Sequence, residues 1–335
     1  MAFWAVTGAS GHIGANMVRL LLERGETARA VVHRNTAALD GLTVERVFAD
    51  VRDGESLLSA FRGADIVVNL AARISIARAA GLEVNPVNVG GTENVVWACK
   101  QCGVPRLVHF SSIHAMAESP DGAATDENSP LVGDDRAAAY DRSKARGELL
   151  VLEAMRSGLD AVILAPTAVV GPYDYAPSHF GKVLLSLARS RKPMLVDGGF
   201  DWVDVRDVVD AAFRAATFSN LSSKYILGGH WHSVMDVSRM ASALTGIPAS
   251  SFAAPRHVAR LCGSFTEAVC GLIGRQPLFT ACAVDALGQH RRVSHQRASN
   301  ELGYSPRPLE ETLADTYHWF RENGFLPGGG EALRE

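Results

Sequence analysis

The amino-acid sequence predicts an α/β protein built on a doubly wound parallel sheet. Short apolar runs of strand length alternate with segments of helical periodicity, and short loops join them. A glycine-rich turn separates the first such strand from the first helix. Such an alternation is typical of sheets that bind ligands at the carboxyl ends of their strands.

The first strand and its turn, Phe3 to Gly14, read FWAVTGASGHIG. Gly8 permits a tight turn, Gly11 lets the backbone approach a pyrophosphate, and Gly14 lets the following helix pack closely on the strand. The N–H groups at the start of that helix then face the phosphates, so Ser10, His12 and Ile13 are expected beside them. The GxxGxxG spacing differs from the GxGxxG fingerprint, and a glycine turn without a ligand stays the alternative.

Length and charge exclude several classes of protein. The chain has 335 residues and a formal net charge of −3, which gives no basic footprint for nucleic acid or an anionic membrane. The sequence shows no signal peptide and no run of about 18 apolar residues. We therefore expect a cytoplasmic protein with a small-molecule substrate, without nucleic-acid or membrane partners.

The five cysteines are odd in number and have no framework spacing. Cys99 and Cys102 form a CxxC, but a zinc site needs a second pair or a histidine cluster nearby. A helix that ends at Gly103 explains the pair better, so we predict no metal site and a reducing compartment.

The second strand, Thr27 to His33, runs into Arg34 without an acidic residue at its end. In NAD-binding units an acid at this point binds the ribose hydroxyls, whereas a cation suits a 2′-phosphate. His33 and Arg34 therefore favour NADP(H), and NAD(H) stays possible. The alternative for Arg34 is a solvated loop residue.

The third strand, Leu42 to Ala49, leads into Asp50 and Val51. We expect Asp50 to accept a hydrogen bond from the adenine amino group and the backbone of Val51 to pair with the ring. The alternative role of a helix cap suits Asp53 better, because a short helix follows over Ser56 to Phe61.

Small and hydroxyl-bearing residues follow the next two strands. Ala64 to Leu70 is followed by Ala71 and Ala72, and Leu107 to Phe110 is followed by Ser111 and Ser112, with a helix over Val89 to Cys102 between them. Because parallel strands end at one edge of the sheet, these residues are expected on one rim.

A polar loop over residues 118–136 indicates a lid or substrate loop, and Tyr140 and Lys144 then lie on one face of a helix. An ammonium one turn away is expected to lower the phenol pKa from about 10. Ser112, or else Ser111, would hold a substrate oxygen beside the phenol. A sixth strand, Ala161 to Leu164, reaches Pro166 and Thr167.

The remaining chain is predicted to contain a helix over 178–190, a turn at 197–199, a helix ending near Ala216 and a strand over 225–229. Residues 234–325 are predicted to be mainly helical, and residues 326–335 to form a flexible tail.

These motifs closely resemble those of the extended short-chain dehydrogenase/reductases, in the epimerase/dehydratase family. TGASGHIG matches TGxxGxxG, Asp50 to Asp53 matches the adenine-site DxxD, and NLAA, NVGGTENV, FSS, YDRSK and PTAVVGP match further segments. The C-terminal stretch ELGYSPRPLEETLADTYHWFRENG resembles the dihydroflavonol 4-reductase-like subgroup. Two departures stand out: Val170 replaces a tyrosine, and His114 follows Ser112 where small residues are common.

The resemblance implies a Rossmann domain, residues 1–170 plus about 200–228, that binds the dinucleotide. It implies a smaller, discontinuous, mainly helical C-terminal substrate domain, about 171–199 plus 229–325. Ser112, Tyr140 and Lys144 would be catalytic, Leu70 and Pro166 to Thr167 would border the cofactor, and a homodimer through helices 89–102 and 140–153 is possible.

We therefore predict an NADP(H)-dependent oxidoreductase that reduces a ketone or aldehyde, or oxidises the alcohol. The alternatives are a nucleotide-sugar epimerase or dehydratase with tightly bound NAD, and a redox-sensing NADP-binding protein. Aromatic and apolar residues in 173–200 and 230–290 favour a lipophilic or aromatic carbonyl substrate, although core packing also explains them: Tyr173, Tyr175, Phe180, Met194, Trp231 and Phe252.

Overall fold

The computed structural model describes residues 1–75, 81–118, 121–133, 137–189, 195–261 and 280–327. Twelve strands occur in these ranges: β1 Phe3–Thr7, β2 Thr27–Val32, β3 Glu45–Phe48, β4 Ile66–Asn69, β5 Arg106–Phe110, β6 Ala161–Pro166, β7 Ala168–Val170, β8 Leu195–Val196, β9 Gly199–Asp204, β10 Lys224–Leu227, β11 His230–Ser233 and β12 Ala253–Ala254.

The helices are α1 His12–Glu23, α2 Gly54–Phe61, α3 Gly81–Asn85, α4 Gly91–Cys102, α5 Ala139–Arg156, α6 His179–Arg189, α7 Val205–Thr217 and α8 Val234–Thr245, followed by helices over Ala281–Ala286, Gln296–Leu302 and Leu309–Glu322. In the part of the chain that the structure describes, no helix is long and apolar enough to span a bilayer.

Seven strands form the central sheet in the order β10-β6-β5-β4-β1-β2-β3. All six neighbouring pairs are parallel, with Val6 opposite Ala30 of β2 on one side and Val68 of β4 on the other. The strand order reverses at β1 and β4, and a doubly wound sheet binds its ligand at this switch point. The predicted fold class is confirmed.

Helices cover both faces of this sheet because its central strands, such as β1, β4 and β6, are apolar on both sides. Trp4 and Val6 of β1 pack with Met17 of α1 on one face. Ala5, between them in the strand, points to the other face and packs with Phe61 of α2 and Val151 of α5. The alternation along β1 therefore holds α1 and the α2–α5 layer against opposite sides of one sheet.

The rest of the described chain has its own small sheet and its own apolar core. β9 pairs parallel with β7 and antiparallel with β11. Leu184, Trp202, Leu313, Tyr317 and Phe320 are buried together beside this sheet. The boundaries predicted for a discontinuous substrate domain stay a prediction.

Several elements differ from the sequence prediction. Strands β7, β8, β9, β11 and β12 were not predicted, because most of them are only two to four residues long. The helix expected from Val89 is α4, which begins at Gly91, and a π-helical turn over Pro86–Gly90 joins α3 to it. Pro86 and two adjacent glycines indicate a break in the sequence, but a widened turn accommodates them here.

Parts of four predicted segments lie outside the described residues. They are positions 119–120 and 134–136 of the polar loop, 190 of the helix over 178–190, 262–279 of the C-terminal helical region, and 328–335 of the tail. Leu326 at the start of the predicted tail is buried in the C-terminal core.

Candidate active site

The glycine turn between β1 and α1 forms one wall of the site. Gly8 has φ +65°, and a Cβ on it would lie 2.9 Å from backbone atoms of Leu70 and Ala71. A Cβ on Gly14 would lie 2.2 Å from the carbonyl oxygen of Gly8, whereas a Cβ on Gly11 would lie 3.3 Å from that oxygen. The three glycines therefore allow the close approaches predicted for a dinucleotide-binding turn.

A buried polar network joins the carboxyl ends of β1, β4 and β5. The hydroxyl of Thr7 donates to Asn69 Oδ1 at 2.7 Å and accepts from the backbone N–H groups of Leu70 and Ala71 at 3.2 Å. The amide of Asn69 lies 3.2 Å from His109 Nδ1. Burial, with a smaller effect of the Lys144 charge, lowers the pKa of His109 to about 3, so this imidazole is neutral. The network fixes the rim on which the site is built.

A cavity of about 560 Å³ opens above this rim and is lined mainly by apolar surface. Its walls come from the glycine turn, the ends of β4, β5 and β6, helix α5 and the C-terminal region. The predicted site residues among them are Gly8, Gly11, His12, Ile13, Gly14, Leu70, Ala72, Ser112, Tyr140, Lys144, Pro166 and Thr167.

Ser112 and Tyr140 meet in this cavity, where the Ser112 side chain lies near enough to the phenol to favour its charged form. Ser112 follows β5 and Tyr140 lies in the first turn of α5. Burial of the phenol outweighs this effect of Ser112 and raises the pKa of Tyr140 to about 12. Tyr140 is therefore protonated at neutral pH.

Lys144 lies one turn along α5, but its ammonium group donates to the carbonyl oxygen of Phe110 at 2.8 Å. Burial lowers the pKa of Lys144 to about 8, although the nearby charge of Glu148 opposes this shift. The expectation that Lys144 lowers the Tyr140 pKa is wrong, because burial of the phenol raises this pKa. The cause is burial, which acts on both groups and which spacing along a helix does not reveal.

Glu148 continues the same face of α5 and was not predicted. Its carboxylate accepts from the hydroxyl of Ser111 at 2.6 Å and forms an ion pair with Lys224 of β10, and it is 1% exposed. Both serines line the cavity, but the Ser111 hydroxyl is bonded to this carboxylate. The spacing Tyr140, Lys144, Glu148 is the signal that could have identified the residue.

The residues predicted to bind the adenosine part of the cofactor lie together at the ends of β2 and β3. His33 and Arg34 are exposed, and His33 Nε2 lies 3.3 Å from a carboxylate oxygen of Asp50. Arg52 holds the same carboxylate with its guanidinium group and backbone N–H, which lowers the pKa of Asp50 to about 2. Sequence reasoning missed Arg52, although it lies within the DxxD segment.

The other predicted site residues have structural surroundings of their own. Val51 is buried and packs against α4 through Gly91, and the backbone N–H of Ala71 donates to Thr7. Asp53 caps α2 by accepting from the backbone N–H of Ser56. Ser10, in the glycine turn, is half-buried and does not line the cavity.

The aromatic residues predicted to line a substrate region lie in different parts of the structure. Phe180 lines the cavity. Tyr173 and Tyr175 pack against Trp319, and Phe252 is 67% exposed. Trp231 packs against Arg291, and Met194 lies outside the described residues. For these tyrosines, core packing was the correct alternative.

Residues 4–228 match the model of the NAD dependent epimerase/dehydratase family. "Sterol demethylase protein B" of Methylococcus capsulatus is 36% identical over 326 residues, 96% of this chain and 99% of that protein. A protein of Synechocystis sp., provisionally named as a dihydroflavonol 4-reductase, is 31% identical over 327 residues, 96% of this chain and 95% of that protein.

The crystal structure titled gox2253 superimposes with a TM-score of 0.83 at 30% sequence identity and covers 96% of this chain and 98% of that one. The family match extends over more than half of the chain and includes the glycine turn, Ser112, Tyr140 and Lys144. This protein therefore belongs to the NAD dependent epimerase/dehydratase family of extended short-chain dehydrogenase/reductases.

Proposed function

We propose that this protein is an NADP(H)-dependent oxidoreductase that reduces a lipophilic or aromatic ketone or aldehyde, or oxidises the corresponding alcohol. The observation that carries the proposal is that Ser112 and Tyr140 lie together in the wall of the cavity. Lys144, one turn from the phenol, supplies the positive charge that such acid–base chemistry needs.

The proposed mechanism assigns one task to each of these side chains. The bound nicotinamide dinucleotide supplies or accepts the hydride. The hydroxyl of Ser112 holds the substrate oxygen next to the phenol, and Tyr140 donates its proton to that oxygen during reduction. Release of the Lys144 ammonium from the carbonyl oxygen of Phe110 would let it stabilise the phenolate that forms, and in the oxidative direction the phenolate accepts the alcohol proton.

The residues around the glycine turn fit a dinucleotide. The close approaches at Gly8 and Gly14 leave no room for larger side chains, and the wall at Gly11 faces the cavity. The turn and α1 would hold the pyrophosphate, and Leu70, Ala72, Pro166 and Thr167 would border the nicotinamide half.

The end of β2 supports a preference for NADP(H). His33 and Arg34 are exposed there, and Arg52 occupies the carboxylate of Asp50. The cluster carries more positive than negative groups, which favours a 2′-phosphate over free ribose hydroxyls. Because Arg52 already holds the Asp50 carboxylate, we infer that Asp50 binds Arg52 rather than the adenine amino group.

The cavity and the relatives support a lipophilic substrate. Apolar side chains such as Ile113, Met116, Val169 and Phe180 form much of the wall. The names of the two relatives refer to a sterol and to a dihydroflavonol, both of which are ring compounds without a phosphate group. A diphosphate sugar would meet few cations in this cavity.

Titration of the purified protein with NADPH and with NADH, followed by the fluorescence of the reduced nicotinamide, tests the proposal. We expect tight NADPH and weak NADH binding, and oxidation of NADPH on addition of lipophilic ketones. NAD that co-purifies with the protein and does not exchange would contradict the proposal and favour the epimerase or dehydratase alternative.

A further inference from the structure

His290 is held in an unusual backbone conformation on the cavity wall. Its φ is 48°, in the left-handed region that residues other than glycine seldom adopt. Its backbone N–H donates to Glu118 Oε1 at 2.5 Å, and its ring Nδ1 lies 3.3 Å from the hydroxyl of the buried Thr125. A conformation of this kind persists only where the surroundings enforce it, and such residues cluster at functional sites.

The ring of His114 connects His290 to the candidate acid Tyr140. The His114 and His290 rings are 5.6 Å apart and nearly perpendicular, and the His114 and Tyr140 rings are 6.4 Å apart. The backbone N–H of His114 donates to the hydroxyl of Ser112. All four side chains line the cavity, so the two imidazoles extend the polar wall that Ser112 and Tyr140 begin.

Both imidazoles are neutral at neutral pH, because burial lowers the pKa of His114 and lowers that of His290 to about 3. A neutral imidazole carries one N–H donor and one acceptor. The charged groups that interact with His114 are Asp141 and Glu118, which are both carboxylates. This wall therefore favours an uncharged oxygen and disfavours an anionic group on a ligand.

We propose that His114 and His290 form a subsite for a second uncharged oxygen of the substrate, a hydroxyl or carbonyl group close to the reacting carbonyl. The inference rests on the proposed function, and it narrows the substrate class from lipophilic carbonyl compounds to those with a second oxygen near the reacting carbonyl. The imidazole N–H groups of His114 and His290 both donate to the second oxygen while Tyr140 and Ser112 bind the first.

Two ketones that differ by one hydroxyl group test this subsite: 2-decanone and 4-hydroxy-2-decanone. We expect the wild-type protein to favour the hydroxyketone about tenfold in kcat/KM, which is the size of one hydrogen bond. His114→Phe keeps a ring and removes its polar atoms, and His290→Asn suits the left-handed backbone but shortens the side chain. Both variants should bring the ratio close to one.

His179→Phe is the matched control, because the His179 ring lines the same cavity but packs against Phe180. This variant should keep the wild-type ratio. A wild-type ratio near one, or a ratio that neither His114→Phe nor His290→Asn changes, would overturn the subsite.

A protein that reduces neither ketone contradicts the proposed function and not the subsite. The dissociation constants of the two ketones, measured calorimetrically in the presence of NADP⁺, then replace kcat/KM. The same tenfold ratio in the wild type, lost in His114→Phe, supports the subsite, and equal constants contradict it.

Discussion

The carboxylate of Glu148 accepts a 2.6 Å hydrogen bond from the hydroxyl of Ser111, the neighbour of the candidate catalytic Ser112. Four residues earlier on the same helix, Lys144 donates to the carbonyl oxygen of Phe110. Helix α5 is thus tied to the end of β5 at two successive positions. These two contacts fix the position of Tyr140 relative to Ser112.

Glu148→Gln should lower the free energy of unfolding by about 3 kcal/mol, because the charge of Lys224 is left buried without its counter-ion. Urea denaturation measures the change. Adding Lys224→Met to this variant should recover part of the loss. Glu153→Gln, on an exposed turn of the same helix, should change stability by less than about 0.5 kcal/mol. Equal effects of the two glutamate substitutions would contradict the role of the buried pair.

Tyr140→Phe should reduce turnover about 10²- to 10⁴-fold and leave the NADPH dissociation constant nearly unchanged, because only the acid is removed. Steady-state kinetics and nicotinamide fluorescence measure the two quantities. Tyr175→Phe removes a phenol that accepts from Arg19 and serves as the control. Unchanged turnover in Tyr140→Phe would refute the acid–base role.

The reductive kcat/KM should fall as pH rises through about 8, the value to which burial lowers the Lys144 pKa. Below this pH the ammonium is charged and can stabilise the phenolate, and above it the charge is lost. Tyr140, with a pKa raised to about 12, stays protonated across this range. The side chain introduced by Lys144→Arg keeps its charge over this whole pH range, so the residual kcat/KM of the variant should not fall as pH rises through about 8. A wild-type profile that is flat from about pH 7 to about pH 9 would argue against this assignment.

Arg34→Asp should shift cofactor preference from NADPH toward NADH, because it replaces a cation with a carboxylate that suits the ribose hydroxyls. The two dissociation constants, measured by fluorescence, give the preference directly. Arg62→Asp makes the same charge change after α2, at the amino-terminal edge of the sheet, and should leave the preference unaltered. An unchanged NADPH constant in Arg34→Asp would remove Arg34 from the 2′-phosphate site.

The predicted homodimer can be tested on helices α4 and α5, where Trp97 is 37% exposed and Leu149 is 51% exposed. If these helices form the interface, light scattering should give twice the chain mass, and Leu149→Glu should lower it to that of one chain. Leu261→Glu, which changes an exposed leucine outside these two helices, should leave the measured mass unchanged. A monomeric wild type would exclude this dimer. Oligomeric state and a cytoplasmic location stay predictions.

Local signals predicted the parts of the site that neighbouring residues build. The turn at Gly8, Gly11 and Gly14 follows from glycine spacing, and the shared helix face of Tyr140 and Lys144 from a separation of four. The meeting of Ser112 with Tyr140 follows from the rule that parallel strands end at one edge. These inferences need only the chain order and the geometry of single elements.

The remaining parts of the site depend on contacts between distant segments. Glu148 and Lys224 are 76 positions apart, and Thr125 and His290 are 165 apart. The raised pKa of Tyr140 likewise follows from enclosure by several segments, which no local pattern reports. Tyr173 and Tyr175 were ambiguous for the same reason, since an aromatic residue on a core face and one on a cavity wall have the same sequence signature.

The position of β10 at the edge of the sheet also bears on the order in which the protein matures during synthesis. Strand β10 brings Lys224 to Glu148, so a ribosome-bound chain that ends before this strand holds α5 with an uncompensated buried charge. Helix α5, which bears Tyr140 and Lys144, therefore reaches its native packing only after about two-thirds of the protein has been synthesised. Nascent chains shorter than this should be the most vulnerable to proteases.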